Sequence, residues 1–174
     1  IIVQGGLYNS LIRTMERLGV ADAFGDTQIP MYVMNVAYPV IESEVNEFCG
    51  GKRAVLLVEE GQPNYLEQAL NTVLRQSGSD TILIGKGVLP MAGEYTSQVL
   101  RAGVVDFLQR FDPAFKPPED PMQLVAEFIK DIAAHVPPRP PGLCTGCPER
   151  PVFASIKLLQ RELGDFHISG DIGC

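Results

Sequence analysis

The sequence predicts an α/β protein with a doubly wound, mainly parallel sheet, followed by the start of a second α/β domain. Three observations carry that reading. Short β-like runs alternate with helical periodicity over roughly the first hundred residues, the pattern of strand–helix–strand units. The strongest strand signal, Ala54-Val-Leu-Leu-Val58, is apolar throughout, as expected where helices cover both faces of a sheet. Pro137-Pro-Arg-Pro-Pro141 is a stiff, extended connector and the best domain boundary. The expected organisation is therefore a first domain over 1–136, a Pro-rich linker over 137–141 and a second domain begun over 142–174.

Each element follows from local pattern. Ile1 to Gln4 reads as a strand, after which Tyr8, Leu11, Ile12, Met15 and Leu18 recur at helical spacing and stop at Gly19. Ile29 to Val36 is the second strand. Pro39 is expected to open a helix, with Ile41, Val45 and Phe48 on one face and Gly50-Gly51 as its stop. Lys52 to Glu60 holds the third strand. Leu66, Ala69, Leu70, Val73 and Leu74 form the next helical stripe, ending near Gly78, and Thr81 to Ile84 reads as a further buried strand. A helix is expected from Glu94 to Phe111. The prolines between Asp112 and Pro121 then break the chain. Met122 to Val136 is amphipathic, with Leu124, Val125, Phe128, Ile129 and Ile132 at helical spacing. Beyond the linker come a loop with two cysteines, a helix from Pro151 to Leu163 and a short strand, Phe166 to Ser169.

Composition narrows the function classes. With 45% hydrophobic and 20% charged residues the chain is too apolar for disorder. Its net charge of −7 and lack of any Lys/Arg cluster argue against nucleic acid as a partner. No apolar run approaches a membrane span. The start, Ile1-Ile-Val-Gln-Gly-Gly6, has no signal-peptide pattern and begins inside a strand, which suggests an excised segment of a longer chain. Four cysteines without a secretory signal read as reduced thiols or metal ligands, so the expected compartment is cytoplasmic.

The chemistry-bearing pattern lies at the far end. Cys144 and Cys147 bracket Thr-Gly in a tight turn that can aim two thiolates at one metal, and Cys174 is a third candidate ligand. Thiolates select zinc or iron–sulfur. Structural zinc wants a second close pair, so a cluster with a further ligand beyond Cys174 fits better. The alternatives are two unrelated thiols or a dithiol redox pair. Gly170-Asp-Ile-Gly-Cys174 follows the expected strand, where ligands bind in open α/β sheets. There Gly170 and Gly173 admit close approach of a diphosphate, and Asp171 can hold a cation. An ordinary turn is the competing account. Glu59-Glu60 ends a core strand and reads as a solvated strand end. His135, closing a helix, reads as a cap rather than a ligand, His167 as a packed strand residue and Cys49 as a small core residue. No residue of the chain stands out as catalytic.

Arg139-Pro-Pro-Gly-Leu-Cys-Thr-Gly-Cys-Pro-Glu-Arg150 and Gly170-Asp-Ile-Gly-Cys174 together resemble the opening of the thiamine-diphosphate domain of indolepyruvate ferredoxin oxidoreductases, within the 2-oxoacid:ferredoxin oxidoreductase superfamily. Upstream, Val55-Leu-Leu-Val-Glu-Glu60, Gly85-Lys86-Gly87 and Gly93-Glu94 resemble the transketolase C-terminal-like domain that precedes it. The resemblance implies oxidative decarboxylation of a 2-oxoacid to an acyl-CoA, with electrons passed to ferredoxin. It implies thiamine diphosphate, Mg2+ and a [4Fe–4S] cluster as cofactors of the full-length enzyme. Cys144, Cys147 and Cys174 would then be cluster ligands, and Gly170, Asp171, Gly173 and Cys174 would line the cofactor. Implied partners are the 2-oxoacid, coenzyme A, ferredoxin, the remaining domains or small subunit, and a second copy in a homodimer. One departure stands out: many relatives carry His where this chain has Glu149, which cannot replace a neutral imidazole. The magnesium-binding Gly-Asp-Gly segment and the pyrimidine-contacting glutamate domain are also missing, so this piece alone is expected to be inactive. The competing function is a non-catalytic α/β interaction module with a structural Cys-x-x-Cys metal site.

Overall fold

A computed structural model describes residues 1–120, 122–133, 135–136, 142 and 145–169. The chain divides into two compact units, Ile1–Gln123 and Leu124–Cys174.

The first unit is a four-stranded, wholly parallel sheet in the order β2-β1-β3-β4. Its strands are β1 (Ile2–Gln4), β2 (Tyr32–Met34), β3 (Ala54–Val58) and β4 (Ile82–Ile84). Its helices are α1 (Tyr8–Arg17), α2 (Glu42–Cys49), α3 (Tyr65–Gln76) and α4 (Ser97–Phe111). Side chains alternate across a strand, and the core splits accordingly. Val3, Leu56 and Val58 pack with Leu11 and Met15 of α1 and Leu100, Val104 and Phe107 of α4. Ile2, Val55 and Leu57 pack with Val45 and Cys49 of α2 and Leu66, Leu70 and Leu74 of α3. Helices on both faces explain why β3 is apolar without alternation, and they make the unit doubly wound as expected. Each such fully buried aliphatic side chain contributes about 1.5–3 kcal/mol, so β3 is the energetic spine of the unit.

Several expected bounds are corrected. The helix expected from Pro39 begins at Glu42, because Ile41 is extended (φ −91°, ψ 97°). Glu42 and Glu44 then supply the negative charge a helix start favours. The helix expected from Glu94 begins at Ser97, where the Thr96 side chain accepts from the Val99 amide at 3.4 Å. β4 is not buried throughout: among the described residues it borders only β3, and while Leu83 is buried Ile82 is 49% exposed.

α5 (Met122–Ala133), most of which belongs to the second unit, starts at the expected residue, and α6 (Glu149–Leu163), wholly in that unit, starts two residues before Pro151. Proline fits a first helical turn, where its missing N–H has no intrahelical acceptor. The expected apolar face of α5 is exposed at Phe128, Ile129 and Ile132, and α6 has no buried residue. The strand expected at Phe166–Ser169 is not formed among the described residues. Phe166 and Ile168 are exposed, and among the described residues no strand pairs with this segment. The linker at 137–141 lies outside the described residues. No described helix is long and apolar enough to cross a membrane.

Candidate functional site

In an open parallel sheet, ligands gather at the carboxyl ends of the strands, above all where the strand order reverses. Here that switch point lies between β1 and β3, the two central strands. Its residues are built from the turns that follow each strand. Gln4, the last residue of β1, accepts the Glu60 amide at its side-chain oxygen, 3.0 Å away, and so bridges the crevice.

Glu59 follows β3 directly. It is 5% exposed, and its two carboxylate oxygens accept the amides of Leu66 (2.8 Å) and Glu67 (3.0 Å) at the start of α3. The reading of Glu59 as a solvated strand end is therefore corrected for this residue. A carboxylate next to a helix start finds amide donors and a favourable dipole, and burial follows. Glu60 is half-buried. Glu67 repeats the arrangement one turn further on: its carboxylate accepts the amides of Gly85 (2.9 Å) and Lys86 (3.1 Å), after β4. Asn64 donates to the same carboxylate at 3.2 Å.

The Lys86 ammonium ties these turns together. Its Nζ donates to the carbonyls of Glu59 (2.6 Å) and Gly61 (2.9 Å) and to the Tyr95 hydroxyl (2.7 Å). Burial pulls the Lys86 pKa below its usual value, partly offset by the charges of Glu59, Glu67 and Glu60. The Tyr95 hydroxyl donates to the Pro90 carbonyl at 2.7 Å. Burial first, then the charges of Glu59, Glu60 and Glu67, push its phenol up to about 12. The cluster is fully hydrogen-bonded, and no buried polar side-chain atom among the described residues lacks a partner. Sequence reading missed Glu67, Lys86 and Tyr95. The one available signal was Gly85-Lys86-Gly87 directly after a strand.

Two open clefts, of about 650 and 680 Å3, lie at the opposite, amino edge of the sheet. The first is lined by the loop from Gly19 to Ile29 with Leu108, Asp112 and Phe115, and the second by Gly50–Arg53 and Ser77–Ile82 among others. Neither contains a cysteine or histidine.

Of the expected metal ligands, Cys147 is placed and Cys144 and Cys174 lie outside the described residues. Cys147 is 6% exposed, carries a free thiol, and precedes Pro148 at the start of α6. The turn before it takes Gly146 through φ 78°, a conformation suited to glycine. Among the described residues no group of three or more His, Cys, Asp or Glu side chains is arranged to hold a metal. Gly170, Asp171 and Gly173, expected beside a diphosphate, lie outside the described residues. His135 sits at the end of α5 with Nδ1 3.0 Å from the Asp131 carbonyl oxygen. His167 is exposed rather than packed, and Cys49 is buried in the core.

No protein-family model matches the chain. No solved structure matches it either. Curated proteins do. The chain is 29% identical over 182 residues to the indolepyruvate oxidoreductase subunit IorA of Methanothermobacter marburgensis, covering all of this chain and 26% of that protein. It is 33% identical over 148 residues to IorA of Archaeoglobus fulgidus, covering 84% of this chain and 22% of that protein. With IorA of Methanothermobacter thermautotrophicus the identity is 31% over 180 residues, covering all of this chain and 26% of that protein. The chain thus spans about a quarter of the length of the curated relatives it matches. The expected resemblance to indolepyruvate oxidoreductases is borne out at the level of the family, and the chain is similar to a segment of the indolepyruvate oxidoreductase subunit IorA family.

Proposed function

We propose that this chain works as part of a thiamine-diphosphate- and iron–sulfur-dependent 2-oxoacid oxidoreductase acting on indolepyruvate-type substrates. The whole protein would oxidatively decarboxylate the 2-oxoacid: CO2 leaves, the acyl group passes to coenzyme A, and the released electron pair reaches ferredoxin. The observation that carries this is similarity to IorA along the full length of the chain. When bound, thiamine diphosphate supplies the carbanion chemistry such a reaction needs. Residues 1–136 serve as the transketolase C-terminal-like domain, and 142–174 open the thiamine domain. Cys144, Cys147 and Cys174 hold the iron–sulfur cluster, and Gly170, Asp171 and Gly173 lie against the diphosphate and its Mg2+. The buried free thiol of Cys147 at the start of α6 supports a ligand role. The first unit, whose polar cluster is internally satisfied, contributes scaffold rather than reacting groups, and the isolated chain does not turn over. The working form is a cytoplasmic homodimer completed by the remaining domains or the small subunit.

The test is anaerobic purification of the full-length protein. Expected are stoichiometric iron and sulfide, releasable thiamine diphosphate, and ferredoxin reduction that requires both indolepyruvate and coenzyme A. Cys144→Ala and Cys147→Ala should each lower iron content. Full-length protein that holds a single tetrahedral zinc and no thiamine would instead make this an interaction module with a structural Cys-x-x-Cys site.

A further inference from the structure

We infer that the loop between α1 and β2 is a docking surface for a different protein, one that offers an apolar pocket flanked by lysine or arginine. Phe24 carries the inference: it is 93% exposed at the apex of a turn. Holding a phenylalanine ring in water is unfavourable, yet the backbone here is built to hold it out. Asp22 Oδ1 accepts the amides of Phe24 and Asp26, each at 2.9 Å, and the Asp22 amide donates to the Asp26 carbonyl at 2.9 Å. Below the apex, Ala21 and Thr27 form an antiparallel bridge, and the Thr27 hydroxyl donates to the Val20 carbonyl at 2.6 Å. Gly25 takes φ 88°, and the Tyr8 hydroxyl lies 3.1 Å from where a Cβ would stand, so the turn is seated against α1. An aromatic side chain on a closed turn has little order left to lose on binding, which is what makes such a residue an anchor.

The same loop walls the cleft of about 650 Å3, whose apolar lining includes Ile29, Leu108 and Phe115. The charged side chains of that lining are of one sign: Asp22, Asp26 and Asp112, with no lysine, arginine or histidine. All three are exposed, and among the described residues none is in an ion pair; the pairs found are Arg101–Asp120 and Arg110–Asp106. Apolar walls beneath exposed carboxylates fit the stem and head of a lysine or arginine side chain. The complementary surface is therefore basic, with Phe24 beside the cleft as the knob that enters its apolar pocket. The same charge disfavours a second copy on this face. A two-fold contact sets a patch against itself, and here that brings carboxylates against carboxylates.

The test places the photoreactive analogue p-benzoylphenylalanine at position 24 of the full-length protein in its native cells. The same group at Tyr38, 88% exposed in the segment after β2, is the control. Crosslinked peptides, read by mass spectrometry, should come from a different protein, in a stretch richer in lysine and arginine than in aspartate and glutamate, and from position 24 alone. That protein is then purified and titrated against the full-length protein. Phe24→Ala should weaken binding roughly ten- to hundredfold, the worth of burying one aromatic ring. Asp22→Asn, Asp26→Asn and Asp112→Asn should each weaken it about two- to fivefold in low salt and less in high salt. Asparagine keeps the acceptor at position 22, so the turn stands. Asp80→Asn, which removes the same charge from the other cleft, should change nothing. Adducts only with a second copy, with the remainder of the same polypeptide or with an acidic stretch overturn the inference, as does a lack of adducts beyond the control. An equal loss for Asp80→Asn and the three cleft variants overturns it too, because it reduces the attraction to net charge.

Discussion

Tyr95 shows how one side chain reports on its surroundings. It is 3% exposed, accepts from Lys86 Nζ and donates to the Pro90 carbonyl. With its phenol pushed up to about 12 by burial and by three nearby carboxylates, the folded state holds the proton more tightly than the unfolded chain, where tyrosine titrates near 10. The stability this group supplies is complete below about pH 10 and is lost as pH rises toward 12. Tyr95→Phe removes both hydrogen bonds and should cost about 1–2 kcal/mol near neutrality. Because phenylalanine does not ionise, and Lys86 is common to both chains, the gap between variant and wild type should narrow at high pH. Urea unfolding at about pH 8 and about pH 11 measures it, and a gap that stays constant or widens would refute the assignment. At this scale the sequence was least legible. Glu59, Glu67 and Lys86 take their roles from partners between 7 and 27 residues away. Those distances are fixed only once β3, α3 and β4 lie side by side, so no local pattern distinguishes Glu59 from an exposed glutamate.

Elements were legible wherever period and punctuation agree. α1 and α3 stop at Gly19 and Gly78, which take positive φ values of 72° and 73° and close the helices as glycines do. Starts were less legible, because proline and a capping threonine or glutamate compete for the same few positions, as before α2 and α4. The edge position of β4 was hidden because exposure of a strand depends on its neighbours and not on its own residues. α4 holds a feature the helical pattern alone conceals. Gly103 sits mid-helix, where glycine costs about 1 kcal/mol relative to alanine. A Cβ there would lie 2.3 Å from Leu89 Cδ2 and 2.9 Å from Leu89 Cγ, and Leu89 is itself buried in the core. Gly103 therefore lets α4 lie close against the segment after β4. Gly103→Ala should lose about 1–2 kcal/mol net, overpacking outweighing the propensity gain. Urea unfolding of Gly103→Ala, Leu89→Ala and the double variant checks this. The double variant should be more stable than the sum of the single losses predicts, and strict additivity would show that the two side chains do not compete for space.

On the scale of the whole molecule, the two units differ in what holds them. The first has core clusters on both faces of one sheet, joined through β1 and β3. In the second, the described residues of α6 are all outside the buried set, and Val152, Phe153, Leu158 and Leu163 are exposed. Those apolar positions were read correctly as helical, yet periodicity says only that a face is apolar and not what covers it. Hydrophobic burial is the main favourable term in folding, so the stability of the chain should reside in the first unit. The Arg101–Asp120 ion pair, at 3.3 Å, ties the end of that unit to α4. A chain truncated after Gln123 should then unfold in one cooperative transition, with a midpoint within a few degrees of the corresponding transition in the 174-residue chain. Circular dichroism on heating reads the transition, and dye binding reads exposed apolar surface. The truncated chain should bind less hydrophobic dye than the longer one, because it lacks the exposed faces of α5 and α6. A truncated chain that melts without cooperativity, or binds more dye than the parent, would place essential core contacts beyond Gln123 and reverse this assignment of stability.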